Sequence, residues 1–229
     1  MADILSNAQS LVEQTVRDFS GHYCYTCSFQ VEDVVLLHLL KQADPQVPVL
    51  FLETGYHFPE TLAYRDQVAA DWKLNLVNII PPAEAPVELY RTDPAACCNW
   101  RKVKGLMAGL DRYDAWVTGL RREQSPTRAN LQLVEPHKLP SGRSIQKISP
   151  LAEWTWKDVQ AYATVNELPA LSLYAEGYTS IGCAPCTQKP LDPGNLRSGR
   201  WAGANKLECG IHTATDSGTN SGIDSATGK

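Results

Sequence analysis

Tyr23-Cys-Tyr-Thr-Cys-Ser-Phe-Gln-Val-Glu-Asp-Val-Val-Leu-Leu-His-Leu-Leu40 joins a stretch rich in Tyr, Thr and Cys to a long apolar run. His22–Phe29 predicts a strand and Val31–Gln42 a helix, which together make a βα unit. On the N-terminal side, Leu5, Ala8, Leu11, Val12, Val16 and Phe19 recur at helical spacing over residues 4–19. On the C-terminal side the alternation continues. Val47–Glu53 reads as a buried strand and Phe58–Trp72 as a helix, with Pro59 in its first turn where proline is tolerated. Leu74–Ile80 is a further strand, closed by the loop Pro81–Pro86. A helix over Asn99–Leu110 and a strand over Tyr113–Thr118 follow, ending before Gly119. Strands alternating with helices of this length predict an α/β fold, a parallel twisted sheet flanked by helices on both faces.

Beyond Gly119 the pattern loosens. Leu131–Glu135 and Ser144–Ile148 read as short strands, and Thr155–Asn166 as a helix whose Thr155 and Asp158 form a capping box. From Leu171 onward Gly, Pro and Cys dominate. Thr213–Lys229 is Ser, Thr, Gly and Asp with little apolar content, so disorder is expected there.

The chain has 229 residues with 21 Lys plus Arg against 25 Asp plus Glu, a net charge of −4. That balance argues against a nucleic-acid partner or a membrane-surface role. Val34–Leu40 is too short to span a bilayer and is interrupted by His38. Met1-Ala2-Asp3 lacks the layout of a signal peptide, so the expected location is cytoplasmic. A homo-oligomer is compatible with the sequence, which carries no signal for or against one.

Seven cysteines, at 24, 27, 97, 98, 183, 186 and 209, are the informative count. Disulfides are disfavoured in a reducing compartment, and an odd number cannot pair completely. Cys97-Cys98 and Cys183-Ala-Pro-Cys186 form a quartet. Zinc is one reading, but structural zinc ligands usually come as spaced pairs, and adjacent thiolates fit one tetrahedral ion poorly. An iron–sulfur cubane offers separate corners to neighbouring cysteines, which favours it here. Cys209, in Lys206-Leu-Glu-Cys-Gly-Ile-His212, lies in a polar stretch and is expected to be exposed. Lys206 and His212 would favour its thiolate, and Glu208 would oppose it. Cys24 and Cys27 read as core or site-lining residues of the first strand.

Two turns complete the candidate site. Cys27–Asp33 lies where a strand end meets a helix N-terminus, the usual ligand position in such sheets, with Ser28 read as a cap and Glu32 and Asp33 favouring the dipole. Glu53-Thr-Gly-Tyr-His-Phe58 ends the second strand, and Gly55 would let a ligand approach the backbone. The cations Arg101, Lys102, Arg121, Arg122, Arg128, Arg197 and Arg200 follow cysteine motifs or strand ends and are candidates to converge on an anion.

Together these residues resemble the assimilatory adenylyl-sulfate reductases of the sulfonucleotide (PAPS) reductase family. The resemblance runs from about Cys24 to His212. It rests on Ser28-Phe-Gln-Val-Glu-Asp33, Glu53-Thr-Gly55 with Phe58-Pro-Glu-Thr61, and Cys97-Cys98 with Arg101-Lys102. It continues in Thr118-Gly-Leu-Arg-Arg-Glu-Gln-Ser125, Ile181-Gly-Cys-Ala-Pro-Cys-Thr187, Gly199-Arg-Trp201 and Glu208-Cys-Gly-Ile-His212. Each motif is weak alone, and their order and spacing make the set specific.

The resemblance implies an adenine nucleotide alpha-hydrolase-like fold. It divides the chain into a nucleotide-binding domain over 1–190, a mobile catalytic segment over 191–212 and a tail over 213–229. It implies a [4Fe–4S] cluster on Cys97, Cys98, Cys183 and Cys186, with Cys209 as nucleophile. Ser28, Glu53, Thr54, Gly55, Lys102, Gly119, Arg121, Arg122, Arg197, Arg200 and His212 are then expected to bind adenosine 5′-phosphosulfate. Family members acting on the 3′-phosphorylated nucleotide generally lack the cluster cysteines, although some cluster-bearing members accept both. Thioredoxin, or glutaredoxin, is the implied external reductant. The long tail after His212 departs from the family's compact ending. Two rivals fit less well. A tRNA-thiolating enzyme would need a Ser-Gly-Gly-x-Asp-Ser turn where Ser28-Phe29-Gln30 stands, and a zinc-stapled binding module would leave Cys209 without purpose.

Overall fold

The computed structural model describes residues 2–192, 194–202, 206 and 208–211. His212 and the tail 213–229 therefore lie outside the described residues, with the expectations attached to them.

The chain begins with helix α1 (Ala2–Asp18), strand β1 (Tyr23–Thr26) and helix α2 (Val31–Ala43). It continues through β2 (Pro48–Leu52), α3 (Pro59–Asp71) and β3 (Asn75–Ile79). A helical run follows: α4 (Pro94–Cys98), a π-helical turn over Asn99–Val103 and α5 (Lys104–Leu110). After it come β4 (Ala115–Thr118), β5 (Val134–Lys138), β6 (Ser144–Ile148) and α6 (Trp156–Val165).

The six strands form one sheet in the order β3-β2-β1-β4-β6-β5. All neighbours pair in parallel except the edge strand β5, which runs antiparallel to β6. Side chains alternate between the faces, as strand geometry requires. Tyr23, Tyr25, Val49, Phe51, Ala115 and Val117 enter the core shared with α1, α2 and α6. Cys24, Leu50 and Trp116 enter a second core with Leu106, Met107 and Leu110 of α5. Burial on both faces follows from the parallel crossovers.

The chain moves outward from β1 to β2 and β3, then returns to lay β4 on the other side of β1. This reversal opens a crevice at the carboxyl ends of β1 and β4, the general ligand position in doubly wound sheets.

Three local readings shift. β1 stops at Thr26, short of Phe29, because Phe29 turns the chain with φ 59 while its ring packs edge-on to Phe51. The strand expected at Leu131–Glu135 forms at Val134–Lys138, and Pro136 is tolerated because β5 is an edge. The helix expected from Asn99 begins at Pro94. There the Asp93 carboxylate accepts N–H bonds from Ala95 (3.0 Å) and Ala96 (2.8 Å), so the Asp-Pro pair was the start signal. The capping box of α6 forms as read, with Thr155 N–H donating to Asp158 and Asp158 N–H to Thr155 Oγ1. Among the described residues no helix is long and apolar enough to cross a membrane.

Candidate active site

The turn after β1 builds one wall of the crevice. Ser28 does not cap α2. Its N–H and hydroxyl both donate to Asp33 Oδ2 at 2.6 Å, and the N-cap is Gln30, with no side-chain cap bond. The reason is reach: the buried Asp33 carboxylate needs donors, and Ser28 supplies two. Burial, and then the charge of Glu32, push the Asp33 pKa up to about 6 against the pull of those bonds. Gln30 instead donates to Ser28 Oγ and accepts from Ile181 N–H at 2.7 Å, which ties the segment ahead of Cys183 to this turn.

Gly119, at the end of β4, packs directly on Asp33. A β-carbon there would collide with the carboxylate, so only glycine fits. Gly182 serves the same purpose for the Arg200 guanidinium. The crevice is thus lined by Ser28 and Asp33 on one side and by Gly119, Gln124 and Arg128 on another. Lys102, Arg197, Arg200 and Cys209 close it.

These cations are strongly conditioned by burial. Burial, then Arg200 and Arg128, lowers the pKa of Arg197 to about 10. Burial also lowers Arg200, opposed by the sulfurs of Cys209 and Cys183. Lys102 is half-buried; burial penalises its charge, yet the Cys183, Cys209 and Cys98 sulfurs outweigh that and hold it above the usual lysine range. All three stay positively charged at neutral pH.

Cys209 departs from its expected exposure. It is half-buried and hydrogen-bonded to Cys98. That bond, with burial, raises the Cys209 pKa well above the usual thiol range, while the same bond pulls Cys98 down to about 6. Lys206 is not the neighbour that activates it, because Lys206 Nζ donates to Pro94 O at 2.9 Å.

Beside the crevice lies a second, smaller cavity. All four quartet cysteines, Cys97 and Cys98 from α4 and Cys183 and Cys186 from the turn Ala184–Cys186, line it. Both segments are tied to the turn after β2: Ala184 N–H donates to Tyr56 O at 2.7 Å and His57 forms a β-bridge with Cys183, while Arg101, just past Cys97-Cys98, donates to Thr54 O at 3.0 Å. Lys102 and Arg200 line both cavities. Among the described residues no group of three His, Cys, Asp or Glu side chains is arranged to hold a metal ion, and all seven cysteines are free thiols. The donor set nevertheless suits an iron–sulfur cluster. Among the described residues four sulfurs face three cations and no carboxylate, and the buried Nε atoms of Arg101 and Arg200 have no partner.

The expected binding residues divide accordingly. Ser28, Lys102, Gly119, Arg197 and Arg200 line the crevice with Cys209. Thr54 and Gly55 stand behind the cysteine cavity: Thr54 Oγ1 lies 3.4 Å from Cys183 Sγ, and Thr54 O accepts from Arg101 at 3.0 Å. Glu53 pairs with Arg65 at 3.1 Å and receives the Gly55 N–H. Arg121 is buried against Trp156 and pairs with Glu123 at 2.8 Å, while Arg122 reaches Leu131 O and Glu153. Neither arginine lines the crevice. Arg128, Gln124 and Glu208 do; Arg128 stood in the basic set and Gln124 and Glu208 within motifs of the family resemblance, but none of the three was read as a binding residue.

Comparisons with known proteins agree with this geometry. Residues 22–189 match the phosphoadenosine phosphosulfate reductase domain. The chain is 43% identical over 214 residues to the adenosine 5′-phosphosulfate reductase of Streptomyces coelicolor, covering 90% of this chain and 89% of that protein. It superposes with TM-score 0.67 and 27% identity on the phosphoadenylyl-sulfate reductase of Candida auris in a phosphate complex, covering 80% and 90% of the two chains. A Candida glabrata FMN adenylyltransferase bound to FAD and inorganic pyrophosphate matches at TM-score 0.63 and 15% identity, covering 82% of this chain and 65% of that one, a likeness of fold alone.

Proposed function

The chain belongs to the phosphoadenosine phosphosulfate reductase domain family, and on that premise we propose that it reduces adenosine 5′-phosphosulfate to sulfite and AMP in sulfate assimilation. The observation that carries the proposal is the meeting of Cys209 with Lys102, Arg197 and Arg200 in one crevice at the ends of β1 and β4.

Once the Cys209 thiol has given up its proton to solvent, a loss that the Cys98 bond and burial oppose and the charges of Lys102 and Arg200 favour, its sulfur attacks the sulfate sulfur. An S–S bond forms, the bond from sulfur to the bridging phosphate oxygen breaks, and AMP leaves with that oxygen and its electron pair. The product on the enzyme is S-sulfocysteine. Charge grows on the leaving phosphate as the bond breaks, and buried guanidinium and ammonium groups fixed nearby stabilise it. A dithiol protein, thioredoxin or glutaredoxin, then attacks the Cys209 sulfur. Sulfite departs with the electron pair, and the second thiol of the reductant resolves the mixed disulfide, returning Cys209 as a thiolate. The two electrons come from the dithiol.

Cys97, Cys98, Cys183 and Cys186 are the residues that would hold a [4Fe–4S] cluster. When bound, that group supplies a fixed anionic body against which Lys102 and Arg200 are oriented. Lys102 and Arg200 then present charge to the crevice from the wall they share with it. The enzyme acts in the cytoplasm in this reading.

A second reading, reduction of the 3′-phosphorylated nucleotide, draws on the likeness to the Candida auris phosphoadenylyl-sulfate reductase. The cysteine quartet favours the unphosphorylated substrate. Sulfite release from each nucleotide by anaerobically purified protein with thioredoxin decides between them. In the same assay Cys209→Ser should fall to background; sulfite release at the parent rate would remove Cys209 from the reaction.

A further inference from the structure

Immediately before the nucleophile, the Glu208 carboxylate sits almost fully enclosed in the crevice with 9% of its side chain exposed. Arg128 grips both of its oxygens, Nε to Oε1 at 2.9 Å and Nη2 to Oε2 at 2.7 Å. Thr127 Oγ1 donates to Oε1 at 3.1 Å, and Arg197 stands 3.7 Å from Oε2. Burial alone would raise the Glu208 pKa, but Arg128 and Arg197 more than offset it and the carboxylate stays ionised.

We propose that Glu208 is a positioning residue whose two-oxygen grip on Arg128 seats the Cys209 segment in the crevice and fixes the line along which the thiolate meets the substrate sulfur. The proposal rests on the reading of Cys209 as nucleophile.

Three features support it. First, the planar guanidinium fork holds a carboxylate in one orientation, which a single-point contact would not do. Second, the anchor is itself braced. Arg128 Nη1 donates to Gln124, and Gln124 Nε2 donates to Glu32 Oε1 at 2.7 Å in the first turn of α2. A continuous chain therefore links the residue beside Cys209 to the turn that carries Ser28. Third, the segment is held on its other sides as well: Lys206 reaches Pro94 O, and Ile211 packs against the core of Leu106 and Trp116. Cys209 lies between these fixed points, and Glu208 is the one nearest to it in sequence. A displacement of about 1 Å of a reacting group costs on the order of 10²-fold in rate, so a loose anchor one residue away has a direct kinetic consequence.

The test uses the full chain, purified anaerobically. Glu208→Gln keeps the shape and removes the charge. Its kcat for sulfite release should fall on the order of 10²-fold, while the nucleotide KM moves much less, because the loss lies in orientation rather than in ground-state contact. Independently of turnover, iodoacetamide should alkylate Cys209 faster in this variant, read by mass spectrometry of the Cys209 peptide. Arg128→Met should reproduce both changes, and the double variant should be no worse than either single one. Glu208→Asp should fall between parent and Glu208→Gln, and it takes over the test if the amide variant does not fold. Unchanged Cys209 alkylation in the variants overturns the seat even where kcat falls. Additive losses in the double variant overturn the grip on Arg128. If instead Cys209→Ser still releases sulfite while Glu208→Gln exposes Cys209, the seat stands and the nucleophile reading is what fails.

Discussion

The crevice and the cysteine cavity share a wall, Lys102 and Arg200, yet they treat charge in opposite ways. Among its lining residues the cysteine cavity carries thiols and cations and no carboxylate. The crevice mixes cations with Glu32, Asp33 and Glu208. A permanent anion can be matched once, during folding, by fixed positive groups. A visiting anion cannot, because buried guanidinium groups left alone between visits would carry the full cost of desolvation. Arg128 and Arg197 accordingly rest against Glu208, whereas the Nε atoms of Arg101 and Arg200 find no partner among the described residues. The contrast is the one the proposed function calls for, with a resident group in the cysteine cavity and a substrate in the crevice.

Lys102→Met breaks this contrast most severely, since one ammonium serves both sides. Sulfite release should fall about 10²–10³-fold, the range seen when one preorganised charge donor is removed, and iron content should fall with it. Loss of rate with full iron retained would confine Lys102 to the crevice. The two close-packed glycines separate the regions more finely. Gly182→Ala pushes on Arg200 and should lower both rate and iron content, whereas Gly119→Ala pushes on Asp33 and should lower rate alone. Losses on the order of 10²-fold are expected for displacements near 1 Å. Iron lost in Gly119→Ala would join the two regions into one.

The smallest effect concerns pH. Asp33 is surrounded by Glu32, Tyr25, Cys27 and Tyr174 and titrates in the folded chain at about 6, against an ordinary 3.8. A raised carboxyl pKa means that the folded state holds the proton more tightly than the unfolded state. The charged form therefore weakens the fold above about pH 6, and that penalty is relieved as pH falls toward 4. Relative to Asp33→Asn, the parent chain should gain about 1 kcal/mol of stability between pH 7 and pH 5. Urea denaturation at the two pH values measures it, and a parent chain that loses ground to the variant on acidification contradicts a raised Asp33 pKa.

The alternation of strands and helices was legible because a parallel sheet must bury both faces, and that demand writes continuous apolar runs such as Val49-Leu-Phe-Leu52 into its strands. Ser144–Ile148 and the Thr155 cap were equally local and formed as read. What escaped was non-local. Arg121, Arg122 and Arg128 are alike in sequence, and the short 3-10 turns after β4 alone decide that only Arg128 faces the crevice. Thr54 and Gly55 follow a strand end as a ligand turn would. The pairing of His57 with Cys183, far away in the chain, turns them toward the cysteines instead. The polar neighbours of Cys209 suggested a solvent-facing thiol, but Lys206 and Glu208 find Pro94 O and Arg128 inside the protein, so polarity there marks buried pairing.

The wide turn at Asn99–Val103 has its own consequence. A π-helical turn is a one-residue insertion absorbed within a helix, and here it lies between two stretches with different duties. Upstream, Cys97 and Cys98 must face the cavity; downstream, Leu106 and Leu110 must face the second core. An unbroken α-helix advances about 100° per residue, so the extra residue sets the phase between those faces. Deleting one residue from this turn would leave every cysteine in the chain and still rotate one face away from its target. The spacing between Cys98 and Leu106 is therefore as much a part of the site as the residues that line it.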